Sequence, residues 1–421
     1  MGRKTFAAAA LLLWSVSARA DTSVPPWTDP GDIPLPTWAR SVVPHGAEIP
    51  VFAAPGKIDQ KRGVLAEDAR LPLYGAKRGA SCFGRWLEIG PLAWVCSDSV
   101  ELSADPPDSH ARGVYPDGLP YRYYFVGRDG AWAFAHPETA DSDQPDQELE
   151  AGWGVAIVLE RSIAGKRWGR TSHGHWVEMS ALIPARPSAF HGEDVVGGQI
   201  DFAWVVADKT TARSLAKGKS TPSSTHVRFE KVPWREERAV GNVTFARISD
   251  DGVEPEAWVP SRDLAHPTIA APPPDLAPGE RWLDVELASQ TVVAYEGTTP
   301  VFATLMSSGR GAQGTDTATP RGTHRLWVKL LSTDMGNVDR DDVDQHYSIE
   351  DVPFVQFFDH AVGLHGAFWH REFGRVRSHG CVNLAPLDAA RLFDFTWPHL
   401  PRGWTAVFPT ELEKGSLVRV R

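Results

Sequence analysis

The sequence predicts a mainly β protein made of small repeated modules, followed by a β domain that carries a short helix. Three observations lead there. The chain of 421 residues holds 17 Trp, 34 Pro and 37 Gly, a mixture that suits many short strands and turns with aromatic bodies filling small cores. A Trp-Val pair recurs as Trp94-Val95, Trp176-Val177 and Trp258-Val259, spaced by 82 residues, and a fixed period of this kind marks duplicated modules. Only Pro386–Phe395 reads clearly as a helix, with Leu387, Ala390, Leu392 and Phe395 forming its apolar face.

The N-terminus reads as an export signal. Arg3 and Lys4 precede an apolar run from Phe6 to Val16, and Ala18-Arg19-Ala20 offers the small-x-small pattern cut before Asp21. The apolar run is shorter than the roughly 20 residues that span a bilayer, so residues 1–20 are expected to be removed, leaving no membrane span. The expected destination is the cell envelope, in particular the periplasm.

The formal charge of −10 argues against a nucleic-acid partner, which would require a basic face. Three cysteines in an exported chain invite one pairing. Cys82 and Cys96 lie in one β-rich segment and are candidates for a disulfide, which leaves Cys381 as an odd thiol.

Each Trp-Val pair opens a similar phrase: Trp94-Val95-Cys96-Ser97-Asp98-Ser99-Val100, Trp176-Val177-Glu178-Met179-Ser180-Ala181-Leu182 and Trp258-Val259-Pro260-Ser261-Arg262-Asp263-Leu264. In the first two copies a further Trp, Trp86 or Trp168, stands eight residues earlier, as the preceding strand of a meander would place it. The modules resemble bacterial SH3-like β-barrels. They are expected at 46–103, 121–185 and 200–266, after a Pro-rich segment at 21–45. The resemblance implies wall-polymer binding, whereas the simpler reading makes the tryptophans core residues of spacer modules.

Pro- and Gly-rich stretches separate the modules, the strongest being Ala270-Ala271-Pro272-Pro273-Pro274 within a linker at 267–279. Such a stretch predicts an extended, semi-rigid spacer. Beyond it, Trp282 to Leu287 and Gln290 to Tyr295 alternate like a hairpin. Pro300 to Ser307, Arg325 to Leu331 and Val352 to Phe358 read as further strands. The last domain is thus mainly β, at about 280–410.

Its chemistry concentrates in Leu364-His365-Gly366-Ala367-Phe368-Trp369 and Ser378-His379-Gly380-Cys381-Val382-Asn383-Leu384. Here the sequence resembles the L,D-transpeptidase catalytic domain, the YkuD family, whose signature is a His-Gly followed by Ser/Thr-His-Gly-Cys-x-Asn/Arg. Ser307-Ser308-Gly309 and Thr319-Pro320-Arg321-Gly322 reinforce the match. The resemblance covers roughly a third of the chain and implies a β-sandwich fold. It makes Cys381 the nucleophile and His365 the base, with the Gly366 carbonyl orienting the ring. A thiol attacks only when deprotonated, and an imidazole within reach can take its proton. His379 and Ser378 are expected to shape the Cys turn. Gly380 is expected to bring backbone amides toward an oxyanion.

The resemblance implies peptidoglycan stem peptides as substrates and no cofactor. Cys381 would attack the carbonyl before the terminal D-Ala of a tetrapeptide and pass the thioester to an amine on a neighbouring stem. A hydrolase at the same Cys-His site and a wall-binding scaffold are the alternatives. Asn383, Arg321, Arg377 and Tyr347 are expected against substrate, with Arg371 and Arg375 also placed between the two motifs. Two metal readings are weaker. Zinc on His365, His370 and His379 lacks the usual spacing, and calcium on Asp339, Asp341 and Glu350, near Asp334, Asp342 and Asp344, lacks the loop glycine.

Overall fold

The computed structural model describes residues 33–108, 114–140, 142, 144–215, 221–254, 256–337 and 346–421. The export signal and the acidic residues Asp339, Asp341, Asp342 and Asp344 lie outside them. Among the described residues the fold is mainly β with one α-helix, Pro386–Phe395. No helix among the described residues is long and apolar enough to cross a membrane.

The 82-residue period corresponds to a recurring structural unit. Ala93–Cys96, Trp176–Glu178 and Trp258–Pro260 are strands. Each runs into a single 3-10 turn at Ser97–Ser99, Met179–Ala181 or Ser261–Asp263, and then into a strand beginning at Val100, Leu182 or Leu264. Trp86, Trp94, Trp168, Trp176 and Trp258 are all buried, so these rings fill module cores. In the first module Trp86 stands opposite Cys96 across a hairpin, and Cys96 is disulfide-bonded to Cys82 with Cα atoms 5.6 Å apart.

The linkers do not act as free spacers. Ala270 donates its amide to the Tyr295 hydroxyl at 2.8 Å, and Arg419 donates to the Ala271 carbonyl. The Pro-rich stretch therefore lies along the last domain. Its prolines cannot donate, and the remaining backbone groups find partners on the neighbouring surface or in the turn where the Leu276 amide donates to the Pro273 carbonyl at 3.2 Å.

All three modules pack on the C-terminal domain. Lys61–Leu65 of the first module pairs antiparallel with Trp404–Val407, Gly63 opposite Val407. A Cβ on Gly63 would lie 2.3 Å from the Trp404 ring, so glycine is required by the close approach. The second module extends the sheet by a parallel pairing of Gly154 with Ile349. Phe190, which follows the second module, and Trp204 and Ala265 of the third share one core with Trp282, Tyr295, Ala367 and Phe373.

In the C-terminal domain Arg281–Glu286 pairs with Thr291–Glu296, which pairs with Thr299–Ser307. The parallel strand Leu417–Val420 closes the other side. A second sheet holds the long hairpin of Val328–Gly336 and Ser348–Asp359 together with Val362–Gly366 and Val382–Leu384. Between these layers the helix buries Ala389, Leu392 and Phe393 against Leu283, Val285, Phe354, Leu364 and Leu384. The strand expected from Arg325 to Leu331 is divided in two, Gly322–Arg325 and Val328–Gly336. They belong to different sheets, since Gly322–Arg325 pairs with Leu417–Val420.

Candidate active site

The chemistry-bearing residues converge because Val362–Gly366 and Val382–Leu384 lie side by side. They pair in parallel, His365 opposite Asn383. Paired residues share a sheet face and alternate residues return to it, so Cys381 approaches the face that carries His365 and Asn383. All three line one cavity of about 1010 Å³.

The Cys381 turn is held by the segment it crosses. The Arg377 and Ser378 amides donate to the Ser308 carbonyl at 3.0 and 2.9 Å, and the Arg310 amide donates to the Ser378 carbonyl at 3.0 Å. Thr319 donates its hydroxyl to the Gly380 carbonyl at 2.7 Å and accepts the Gly309 amide at 2.9 Å. Ser378 donates its hydroxyl to the Cys381 carbonyl and accepts the Gly380 amide at 3.1 Å. Gly380 has φ +135°, a backbone that side-chain-bearing residues rarely adopt. The Gly380 amide, expected to face an oxyanion, is thus engaged inside the turn.

His365 is 2 % exposed, with Nδ1 at 3.3 Å from the Gly366 carbonyl. A carbonyl only accepts, so Nδ1 carries the hydrogen and Nε2 keeps its lone pair. Burial lowers the imidazole to about 4. Burial also raises the Cys381 thiol, against a hydrogen bond to the Gly363 backbone, and Sγ sits 3.7 Å from the Ala361 carbonyl. At neutral pH the cavity therefore holds a neutral thiol and a neutral imidazole.

Behind them, His370 Nδ1 accepts the Glu372 amide at 3.1 Å. Burial, with smaller contributions from Arg377 and His365, brings His370 down to about 3, so its neutral ring carries the hydrogen on Nε2. Nε2 lies 2.9 Å from the Asn383 amide group and calls for an acceptor there. The Asn383 oxygen meets that need when the amide is turned about its axis. As placed, the Asn383 Oδ1 has no partner.

Of the residues expected against substrate, Arg377, Tyr347 and Asn383 line the cavity, and Arg321 does not. The Arg321 amide instead donates to Gln313 at 3.3 Å. His379 lines the cavity, stacks on Tyr347 with ring centroids 5.9 Å apart and is bonded through Nε2 to the Arg310 guanidinium. Arg371 and Arg375 are occupied elsewhere, on the Arg186 carbonyl at 3.1 Å and on Asp208 at 2.8 Å.

Sequence reasoning missed Arg310, Trp369, Asn337 and the Ala151–Trp153 turn, all in the cavity wall. Arg310 directly follows Ser307-Ser308-Gly309, so that motif could have led to it. Nothing local marks Trp153. Among the described residues, His365, His370 and His379 do not form a metal-sized group, while His173, Asp334 and Asp351 do. Glu350, a ligand in the calcium reading, accepts the Ala156 amide at 3.1 Å.

Residues 280–417 match the family model of the YkuD L,D-transpeptidase catalytic domain. Solved structures with similarity include the catalytic domain of an L,D-transpeptidase from E. faecium, at 23 % identity and TM-score 0.26, covering 34 % of this chain and 98 % of that one. An L,D-transpeptidase from Mycobacterium smegmatis matches at 14 % identity and TM-score 0.27, covering 63 % of this chain and 99 % of the other. L,D-transpeptidase 3 from Mycobacterium tuberculosis matches at 15 % identity and TM-score 0.27, covering 45 % and 93 %. No curated protein matches the chain.

Proposed function

Taking as premise that residues 280–417 carry a YkuD-type L,D-transpeptidase catalytic domain, we propose that the protein is an exported peptidoglycan L,D-transpeptidase working through a thioester on Cys381. The observation that carries this reading is the shared cavity of Cys381 and a His365 ring whose Nδ1 is tied to a backbone carbonyl. That tie directs the free lone pair of Nε2 to the task of accepting a proton.

The reaction follows from these groups. His365 takes the thiol proton as Sγ attacks the carbonyl before the terminal D-Ala of a tetrapeptide stem. The negative charge gathers on the carbonyl oxygen. Because the Gly380 amide is held by Ser378, the Cys381 amide is the backbone donor we assign to it. The proton then passes from His365 to the departing D-Ala amine. In the second half an amine of a neighbouring stem gives its proton to His365, attacks the thioester and releases Cys381. Arg310 and Arg377, both in the wall, offer guanidinium groups to stem carboxylates.

Incubation of the purified protein with tetrapeptide stems, followed by mass analysis of the products, tests the assignment. The expected products are free D-Ala and a dimer linked through two diamino acids, both abolished by Cys381→Ala. A tripeptide without dimer would move the outcome to hydrolysis at the same site. Unchanged tetrapeptide, in the presence of correctly folded protein, would overturn the enzymatic reading.

A further inference from the structure

The cavity has a wall that the catalytic domain does not supply. Ala151, Gly152 and Trp153, which line it opposite no motif of their own, belong to the second β module. They form the turn between the strands Gln147–Leu149 and Gly154–Ile163.

The turn is fixed in place from both sides. Within the module, the Gly152 amide donates to the Val126 carbonyl at 2.9 Å, and the Val126 amide donates to the Trp153 carbonyl at 2.8 Å. The Trp153 amide closes the turn on the Glu150 carbonyl at 3.1 Å. Against the catalytic domain, Gly154 pairs with Ile349 and the Ala156 amide donates to Glu350 at 3.1 Å. The Tyr123 hydroxyl donates to the Asp351 carbonyl at 2.5 Å, and its ring stacks on Phe368 with centroids 4.0 Å apart. His173 meets Asp334, itself a cavity residue, at 3.2 Å. A side chain on this turn is therefore held as firmly as one on the catalytic domain.

The chemistry of the wall points to a ligand. Among the described residues, two that line the cavity carry a buried polar side-chain atom without a partner, Trp153 at Nε1 and Asn383 at its amide. An indole N–H can only donate. A buried donor without an acceptor is costly, and oxygen atoms brought by a ligand would meet it. A peptide supplies such oxygens at each residue, and the indole face covers apolar side chains beside them.

We propose that the second β module is a structural part of the substrate cleft, and that Trp153 is a substrate-binding residue that receives a peptide carbonyl or carboxylate of the stem. The proposal rests on the transpeptidase reading and extends it: the specificity of the cleft is divided between two domains. The module's role is to shape the site, which differs from gripping wall polymer at a distance.

Steady-state kinetics on tetrapeptide stems with Trp153→Phe and Trp153→Ala test it, using the whole mature chain. Trp153→Phe keeps the ring and removes the N–H, so KM is expected to rise about fivefold with kcat within about twofold. Trp153→Ala removes both and is expected to raise KM further. Formation of the carbapenem adduct at Cys381 and the melting temperature are recorded for each variant. Wild-type KM in both folded variants would overturn the proposal. A fall in kcat and melting temperature together with unchanged KM would also overturn it, because that pattern marks a purely structural tryptophan. If wild-type protein itself forms no adduct and turns over no stem peptide, it is the transpeptidase reading that falls.

Discussion

His365 and Cys381 illustrate how the same burial acts oppositely on two groups. It lowers the imidazole to about 4 and raises the thiol, because in each case the charged form loses its hydration. Neither group is ionised at rest, and proton transfer is left to the encounter with substrate. Two expectations follow. The rate of Cys381 acylation should show no step near the ordinary histidine value of about 6.5, and it should fall only as pH drops through about 4, where His365 gains its proton. A stopped-flow profile carried from below about pH 4 up to about pH 9 reads this directly, and an inflection at about 6.5 would contradict it. Replacing His365 by Ala should cost about 10²- to 10⁴-fold in acylation rate, measured against the same β-lactam. At this scale the sequence was highly legible. His365, Ser378, His379, Gly380, Cys381 and Asn383 occupy two short motifs, and the parallel pairing of 362–366 with 382–384 brings those motifs together. Trp153 was not legible, since its place in the cavity depends on contacts distant in the chain, whereas Arg310 follows directly on Ser307-Ser308-Gly309.

The helix Pro386–Phe395 and the strand Val328–Gly336 meet through a buried cation. Lys329 is 0 % exposed and donates from Nζ to the Phe393 and Thr396 carbonyls at 2.5 and 2.7 Å. These are the last carbonyls of a helix, which have no partner within it and carry its negative dipole end. Burial brings the amine down to about 7, yet the neutral amine still has hydrogens for both carbonyls. Lys329→Met would keep the stem's packing, leave the Thr396 carbonyl unmet and leave the Phe393 carbonyl only the Thr396 hydroxyl at 3.5 Å. A loss of about 1–3 kcal/mol is expected from an unmet buried acceptor, measured by urea unfolding. An unchanged midpoint would mean that water reaches them. The helix itself was legible to the residue, because Pro at its start and the apolar spacing agree. The split of the strand expected from Arg325 to Leu331 was not. Alternation reports which face is buried, but it does not report that Leu326 and Trp327 carry the chain from one sheet to another.

Across the whole molecule, the modules build the enzyme's shape. The 82-residue period announced three similar units, and the strand, 3-10 turn and strand recur at each of them. Their docking was invisible, because Pro-rich linkers read as spacers and single-residue pairings such as Gly154 with Ile349 leave no pattern. His173 gives this docking a pH dependence. Its hydrogen bond to Asp334 raises it to about 9, assisted by Glu350 against the cost of burial. A raised histidine stabilises the docked state fully below its unfolded value of about 6.5 and loses that contribution as pH rises through about 9. Glu350, raised to about 7 chiefly by burial, works in the same direction, since its ionisation between about 4.5 and 7 penalises the folded state. The melting temperature of His173→Gln should therefore lie below that of the parent at pH 6 and converge with it near pH 10. A constant gap across that range would assign His173 a role in packing alone.

The central claim is that Cys381 is an acylating nucleophile served by His365. Intact mass spectrometry of the mature protein after incubation with a carbapenem, beside Cys381→Ala, tests it most directly. A single covalent adduct on the parent protein and none on Cys381→Ala is the predicted result. Folded, reduced protein that stays unmodified, or an adduct that persists on Cys381→Ala, would contradict it.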